Sequence, residues 1–328
     1  DNMSPMKRYL ELNRAALKLR GGRDFVLLIR GMEQYEARFD TVMAEAANTS
    51  LQLHLQVDPQ TFTRDYNIAQ LISAPLLAAA ANSPTFCGRR LWHETRVAVF
   101  ERAVDSRSEI ETKRGSQPRV SFGYDWARGS VLDLYRENVT RYRVMLLTEV
   151  DRDPLLELEA GRIPPLDALN LHNGTIWRWN RPCYGTTDGV PHLRIENRVL
   201  PAGPTIADEV ANAAVFYGLM MSLPERYGDP ARHFSFSAAR TNFINAARQG
   251  LDAHLAWIDG YPTDARTLIL DELLPAAPEG LGRAEVPQAH RERYLGILED
   301  RVRSGMTGSR WALEMLRGRR DRREAGRE

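Results

Sequence analysis

The sequence has 328 residues, with 44 lysines and arginines against 43 aspartates and glutamates, for a formal net charge of +1. This balance creates no global field that would attract nucleic acid or an acidic membrane surface, and no apolar run approaches the roughly 18 residues of a spanning helix. The two cysteines, Cys87 and Cys183, form no CxxC pair, which excludes a zinc framework and is typical of a reducing compartment. We therefore expect a cytoplasmic protein without a nucleic-acid or membrane partner.

Helical and extended patterns alternate through most of the chain. The apolar run Phe25–Ile29 is either a buried strand or the start of a helix. Pro75 lies inside a long helical pattern and should kink it. Residues 105–118 and 151–172 are loop-like because Pro, Gly and charged residues interrupt them. The other elements are predicted as helices over residues 7–20, about 36–47, 61–81, 91–104 and 129–149, and as strands over 51–57, 119–122, 175–179 and 191–200.

The C-terminal part is predicted to be helical throughout. Thr205 is a typical N-cap residue and Asp208 follows in the first turn, so a helix should begin near residue 206 and continue to about 221. No shift in composition marks a linker, and we predict one domain over residues 1–328. Within it, 1–222 would be a sheet-containing core and 223–328 a helical region. The further predicted helices are 235–249, 263–275, 287–303 and 307–318.

The first unusual strand is Leu51–Val57, where apolar and polar residues alternate without a slip. Its outward face carries Gln52, His54 and Gln56 in place of the Lys, Glu, Thr or Ser of a solvated strand. This row suits the floor of a polar pocket that holds a ligand. Equally open is a sheet face covered by a loop, with these side chains bonded to the backbone.

The second unusual strand lies within residues 191–200. His192, Arg194, Glu196 and Arg198 share one face, and alternate residues of a strand are about 7 Å apart. A carboxylate between two guanidiniums suits Mg²⁺ and phosphate together, because carboxylates bind hard cations and guanidiniums bind phosphoryl oxygens. The alternative is a salt-bridge ladder on an exposed sheet face.

A Walker A loop, a GxGxxG fingerprint, a GxSxG elbow and HExxH are all absent from the sequence. A different set of residues is informative through its order and spacing. In chain order its members are Gln52, His54, Gln56, Asn82-Ser83-Pro84, Gly88, Trp92, Glu94, Arg96, Asp105, Arg107, Glu196-Asn197-Arg198 and Pro204-Thr205. This set resembles the glutamate–cysteine ligases of the second (plant and proteobacterial) type and their carboxylate–amine ligase relatives. The resemblance covers roughly residues 7–222.

The resemblance implies an α+β fold similar to glutamine synthetase. An antiparallel sheet would form a saddle or funnel, with helices on its outer face and a helical C-terminal part. It also implies a ligase that uses ATP and Mg²⁺ to phosphorylate the γ-carboxylate of glutamate. The amine of cysteine would then attack the acyl phosphate, as in glutathione biosynthesis.

The same resemblance implies roles for individual residues. The metal ligands would be Glu196 and His54. The catalytic residues would be Glu196, Arg198 and His54. The substrate-binding residues would be Gln52, Gln56, Asn82 and Arg96. The residues that bind the nucleotide would be Arg194, Arg198 and Trp177.

One departure from the family pattern concerns magnesium. Family members begin with a Gly-x-Glu-x-Glu strand whose glutamates bind most of the Mg²⁺, and Gly31-Met32-Glu33 is only a partial match to it. Because the sequence also starts without an initiator Met, we expect an N-terminally truncated member that is inactive or weakly active alone. Two alternatives stay open, which are a carboxylate–amine ligase with a different amine or acid and a non-catalytic relative that binds nucleotide.

Overall fold

A computed structural model describes residues 5–147, 149, 152–258 and 260–325 as a mixed α+β structure. The α-helices are α1 (Lys7–Leu19), α2 (Phe62–Ala80), α3 (Thr95–Ala103), α4 (Glu109–Lys113), α5 (Val131–Arg141), α6 (Pro154–Glu159), α7 (Asp167–Asn173), α8 (Ile206–Tyr227), α9 (Phe236–Gln249), α10 (Ala265–Thr267), α11 (Ala277–Arg283), α12 (Gln288–Ser304) and α13 (Gly308–Ala325). The 3₁₀ segments are Val42–Ala47, Pro230–Arg232, Gly250–Asp252 and Leu274–Ala276, and a π-helical turn spans Leu268–Leu273.

The strands form small sheets. They are β1 (Phe25–Arg30), β2 (Gln34–Phe39), β3 (Leu53–Val57), β4 (Thr85–Phe86), β5 (Arg89–Arg90), β6 (Val120–Ser121), β7 (Trp177–Arg178), β8 (Asn180–Thr187), β9 (Val190–Asn197), β10 (His254–Ala256) and β11 (Pro262–Asp264). The largest sheet in the described part of the chain is antiparallel, in the order β3-β9-β8. β1 pairs with β2, β4 with β5 and β10 with β11, each antiparallel, whereas β6 and β7 are parallel.

Helix α2 is the centre of the core and is buried along almost its whole length. It packs against α8 and α9, and Pro75 lies inside the helix without ending it. Its polar residues fix the inner face of the β3-β9-β8 sheet. Asn180 donates to Gln70 Oε1 at 2.7 Å and to Ser73 Oγ at 3.0 Å, and it accepts from Asn197 at 2.9 Å. Because buried amides need such partners, this chain of hydrogen bonds sets which face of the sheet turns outward.

Most of the predicted elements near the sheet are confirmed. Strand β3 lies within the predicted 51–57, and β9 covers most of 191–200. The N-cap is also confirmed, since Thr205 Oγ1 accepts from the backbone N–H of Asp208 at 3.2 Å. Helix α8 extends beyond the predicted end, to Tyr227.

The prediction of a helix over 36–47 is wrong. β2 pairs with β1 in a hairpin, with Leu27 opposite Ala37, and only Val42–Ala47 is helical, as a 3₁₀ turn. Exposed and half-buried residues alternate along β2, which is the period of a strand. The hairpin also resolves Phe25–Ile29 as a strand.

Four other predictions are corrected. The expected loop 105–118 contains α4. Helix α5 ends at Arg141, short of the predicted end at residue 149. The expected loop 151–172 contains α6 and most of α7. Within these two segments, residues 148, 150 and 151 lie outside the described residues. The C-terminal part is not helical throughout, since β10 and β11 form a hairpin there. Asn242 stabilises this hairpin by bonding both backbone polar groups of Ala256, which is a long-range contact that local patterns do not reveal.

None of the helices in the described part of the chain combines the length and the apolar character that crossing a membrane requires.

The packing of α8 on α11 gives a test of the fold. A Cβ at Gly280 would fall on the carbonyl of Gly218, and one at Gly218 would lie 2.6 Å from the carbonyl oxygen of Ala277. We expect Gly280→Ala to lower the free energy of unfolding by about 2 kcal/mol, as overpacking does. Gly296 is also helical, but a Cβ there would face open space. Gly296→Ala should therefore raise the free energy of unfolding by about 0.5–1 kcal/mol. Urea denaturation measures both, and a Gly280→Ala variant as stable as the wild type would contradict this packing.

Candidate active site

The β3-β9-β8 sheet places the two predicted polar rows side by side. His54 of β3 lies opposite Glu196 of β9, and Gln56 lies opposite Arg194. Leu55 and Ile195 pair between them and point to the opposite face. We call the outward side of this sheet the polar face; it comprises Gln52, His54, Gln56, His192, Arg194, Glu196, Arg198, Arg181 and Cys183.

Glu196 lies at the centre of the polar face and is only 1% exposed. Arg181 Nε donates to its Oε2 at 2.6 Å, and Arg198 Nη1 donates to its Oε1 at 2.8 Å. The thiol of Cys183 also donates to Oε2 at 3.5 Å. Both carboxylate oxygens are therefore held by guanidiniums on neighbouring positions of the sheet.

The protonation states of Glu196 and His54 follow from this arrangement. Burial by itself raises the pKa of the Glu196 carboxyl, but the charges and hydrogen bonds of Arg181 and Arg198 outweigh it, and the pKa is lowered. Burial and the guanidiniums lower the pKa of the His54 imidazole, against the opposite effect of Glu196. At neutral pH Glu196 is therefore ionised and His54 is neutral, although their side chains are 4.0 Å apart.

Positive charge exceeds negative charge on the polar face. Among the described residues, Arg194 makes no side-chain hydrogen bond or ion pair, and its Nε is buried. The Nε of Arg198 is also buried without a partner. Besides Glu196, the carboxyl of Glu45 interacts electrostatically with Arg198. Three guanidiniums thus face Glu196 and Glu45, and two of the three keep an Nε–H group without a partner among the described residues.

Arg181 and Cys183 were not predicted as site residues. The sequence interpretation ended a strand at residue 179 and treated Tyr184 to Gly189 as a connection, whereas β8 runs from Asn180 to Thr187. Extending the alternation of residues 177–179 by four positions would have placed Arg181 and Cys183 on one face.

Gln52 and Gln56 lie on either side of His54 along the chain, whereas Trp177 belongs to the β6-β7 sheet. Both glutamines are exposed; Gln56 is on β3, an edge strand, and Gln52 directly precedes that strand. Trp177 lies on β7, which leads through a single residue into β8. The ring of Trp177 is 6.3 Å from the ring of Phe100. The guanidinium of Arg198 lies 5.9 Å from the Phe100 ring.

Asn82 and Arg96 are not brought to the polar face. They meet at Glu94, a fully buried carboxylate that accepts from the backbone of Asn82, from Ser83 Oγ and from Arg96 Nε. Arg96 also donates to the backbone carbonyls of Arg198 and Val199. Since these contacts occupy its guanidinium, Arg96 anchors the end of β9 from behind the site.

The profile of glutamate-cysteine ligase family 2 (GCS2) matches residues 5–328. The chain belongs to this family. A search of curated proteins found no match.

Two solved structures are similar to this member of glutamate-cysteine ligase family 2 at low sequence identity. The Pup ligase PafA of the prokaryotic ubiquitin-like modification pathway, in complex with ADP, has a TM-score of 0.40 and 11% identity over 96% of this chain and 57% of that chain. The complex between prokaryotic ubiquitin-like protein Pup and its ligase PafA gives a TM-score of 0.40 and 10% identity over 99% and 65%. The chain thus spans 57% and 65% of these two proteins. Similarity this distant carries no inference about chemistry here.

The family resemblance implied magnesium at Glu196 and His54, and the donor set of the polar face can be compared with that role. Mg²⁺ prefers an octahedron of oxygen ligands. Both oxygens of Glu196 are held by guanidiniums, and His54 offers a nitrogen. No group of three or more His, Cys, Asp or Glu side chains suited to a metal occurs within the described residues. The role of Glu196 and His54 as metal ligands stays a prediction, and the donor set does not fit it.

The ion pairs of Glu196 predict a pH-dependent loss of stability on substitution. The pKa of the Glu196 carboxyl is lower in the folded protein than its ordinary value of 4.5. The ionised carboxylate therefore stabilises the fold at pH values above 4.5. This contribution is lost as the pH falls through the lowered pKa of the folded state. We expect Glu196→Gln to lower the free energy of unfolding by about 3 kcal/mol at pH 7, since two half-buried guanidiniums lose their counter-charge. The difference from the wild type should narrow as the pH falls below 4.5.

Urea denaturation at several pH values measures this difference. Glu299→Gln is the matched control, since its pair with Arg303 is exposed and should contribute less than about 1 kcal/mol. An equal, small effect of both substitutions at pH 7 would contradict the role given to Glu196.

Proposed function

We propose that the protein is an ATP-dependent carboxylate–amine ligase that joins the γ-carboxylate of glutamate to the amine of cysteine. Two findings support the proposal: membership of glutamate-cysteine ligase family 2 and the surplus of guanidiniums on the polar face. The second carries it, because phosphoryl transfer depends mainly on positioning and on neutralising phosphate charge. The glutamine synthetase-like saddle is part of this proposal; an antiparallel sheet with one polar face and one helix-covered face supports it.

The reaction would proceed in two steps. The γ-carboxylate of glutamate attacks the terminal phosphorus of ATP, giving an acyl phosphate and ADP. The amine then attacks the acyl carbon, the C–N bond forms, the bond to the phosphate oxygen breaks, and phosphate leaves. Arg194 and Arg198 would hold the transferred phosphoryl group, and Glu196 would keep Arg198 and Arg181 in place. His54, neutral at neutral pH, would accept the proton that the amine loses.

The other predicted residues have less direct roles in this proposal. Trp177 would form the wall next to the base of the nucleotide. Gln52 and Gln56 would bond substrate from the exposed edge of the face. Asn82 and Arg96 would act through Glu94, by fixing the backbone at the end of β9.

Magnesium enters this proposal as the partner of ATP. Neutralising the triphosphate is the chemistry that Mg²⁺ would supply when bound. Because the donor set of the polar face does not fit the ion, its protein ligands would lie elsewhere than on this face.

A second candidate is a non-catalytic relative that retains nucleotide binding. The observation that favours it is the same shortage of carboxylates on the polar face. A ligase with a different acid or amine is a third possibility, which the substrate panel below decides. A cytoplasmic location stays a prediction.

Phosphate release from ATP tests the proposal directly. The product of the intact open reading frame that encodes this chain is incubated with ATP, Mg²⁺, glutamate and a panel of amines including cysteine, and products are identified by mass spectrometry. We expect phosphate release that requires both the acid and the amine, with γ-glutamylcysteine as the product. Arg194→Gln should lower the rate at least about tenfold, because a charge-assisted contact to the phosphoryl group is lost.

Arg240→Gln is the control for this assay. Arg240 is exposed on α9 and, within the described part of the chain, makes no side-chain hydrogen bond or ion pair. Its substitution should leave the rate unchanged. Absence of turnover with every amine would refute the ligase, and ATP binding without turnover would favour the non-catalytic relative.

A further inference from the structure

Helix α6 exposes three leucines to solvent. Leu155 and Leu156 are 67% and 61% exposed, Leu158 is exposed as well, and none of the side chains of this helix is buried. Single apolar residues at a protein surface are ordinary, but a cluster of large ones marks a place that a partner covers. Because the three leucines belong to one short helix, they indicate an interaction surface.

A cavity of about 230 Å³ adjoins the start of this helix. It exceeds the roughly 150 Å³ of an apolar cavity that holds a benzene ring. Its apolar lining comes from six residues, which are Pro154, Pro164, Pro165, Leu166, Ala168 and Leu169. An aromatic side chain of a partner can therefore enter it. We call the three leucines of α6 together with this cavity the α6–α7 surface.

The backbone of Leu166, in the lining of the cavity, is strained. Its φ of 54° lies in the left-handed region, which residues other than Gly rarely adopt. Leu166 directly precedes α7, and its side chain makes no capping hydrogen bond that would compensate for the strain. Strained residues cluster at binding sites. The conformation of Leu166 is therefore a second indication, independent of the exposed leucines, that a partner binds here.

Helix α13 carries another exposed apolar stripe. Leu313 packs inward, whereas Trp311 and Met315 are 57% and 48% exposed. Residues four apart on a helix are neighbours on one face, so the indole and the thioether lie side by side. The indole N–H of Trp311 makes no hydrogen bond within the described residues. Trp311 is thus a large aromatic side chain without a partner.

The two surfaces lie in segments of opposite charge. Residues 149–167 of the sequence contain six acidic residues and two arginines, whereas residues 310–325 contain six arginines and three acidic residues. Glu159, Asp167 and Arg317 are exposed and make no ion pair within the described residues. Opposite charges steer two surfaces together and help to select the partner. Since neither surface covers the other within one copy, a second copy of the chain supplies the matching partner for each.

We propose that α13 of one copy docks on the α6–α7 surface of a second copy, with Trp311 in the cavity. An aromatic anchor in an apolar pocket, with charged residues around it, is the arrangement that carries most of the binding energy at protein interfaces. A reciprocal exchange, in which each copy gives α13 to the other, closes a dimer. A one-way exchange adds copies head to tail. The same contact forms in both arrangements.

Sedimentation velocity with the whole chain tests the proposal. From dilute solution up to about 1 mM, where even weak complexes are populated, the chain should pass from monomer to dimer or larger species. High salt should raise the dissociation constant, because the charges are exposed. Trp311→Ala should raise it at least about tenfold, since Trp is prominent among the residues that dominate interfaces. A double variant with Leu155→Ser and Leu156→Ser should act similarly, because it removes apolar area from the other surface.

A mixture of the two variants shows whether docking occurs between copies. The Trp311→Ala chain keeps an intact α6–α7 surface, and the leucine double variant keeps an intact α13. One contact can form between them, so the mixture should pair at a concentration at which each variant alone is monomeric. Both variants should be as stable as the wild type in urea denaturation, because the replaced side chains are exposed.

Tyr9→Ala and Ile110→Ser are the matched controls. Both side chains are exposed and lie outside the two surfaces, so these variants should associate as the wild type does. The proposal is overturned by a chain that is monomeric at every concentration, by unchanged association in both test variants, by a mixture that does not pair, or by loss of association in the controls.

Vesicles of phosphatidylserine and phosphatidylcholine test the other use of a basic helix with an apolar stripe, which is binding to an acidic membrane surface. We expect no binding that depends on Trp311. Such binding by a chain that stays monomeric would assign α13 to a membrane and overturn the proposal. Since none of these measurements involves ATP or an amine, their outcome is independent of the ligase assay.

Discussion

Two guanidiniums hold a carboxylate that is almost fully buried, and the rest of the polar face depends on this contact. Glu196 could not remain ionised at 1% exposure without Arg181 and Arg198, because an isolated buried carboxylate would be neutralised. In return, the carboxylate accepts a hydrogen bond from each of the two guanidiniums and so holds them in place. The contact joins β8 to β9 and to the residue that follows β9, so it also fixes how the strands meet.

The surroundings of this contact support it from both sides of the sheet. Behind the sheet, the amides of Asn180 and Asn197 bond each other and α2, and Arg96 bonds the carbonyls that follow β9. In front, α5 covers β8 while β3 remains an exposed edge. Arg181 and Arg198 are thus held by fixed partners in a sheet with β3 at its edge, an arrangement suited to binding a charged ligand in a fixed position.

Strand periodicity and helix caps were sufficient to predict much of this arrangement. The alternation in Leu51–Val57 and the Thr205 cap are local signals, and both are confirmed. The polar row around Glu196 was also predicted from the sequence. The sequence could not show whether Glu196 is a metal ligand or part of a salt-bridge ladder, because the answer depends on which side chains of β8 contact it. Arg181 was missed for this reason.

Long-range contacts account for most of the other differences. The β10–β11 hairpin depends on Asn242, and Arg181 reaches Glu196 only through the pairing of β8 with β9. Arg96 looked like a ligand for a substrate carboxylate, yet it is buried against Glu94. Patterns within one segment carry no information about such partners.

The central claim is that Glu196 organises guanidiniums for an oxyanion and does not bind a metal. A crystal structure of the chain with Mg²⁺, glutamate and a non-hydrolysable ATP analogue tests it most directly. We predict that Glu196 keeps its contacts to Arg181 and Arg198, and that an oxyanion of one of the ligands lies on Arg194. Mg²⁺ coordinated directly by Glu196, with the guanidiniums displaced from its oxygens, would contradict the claim.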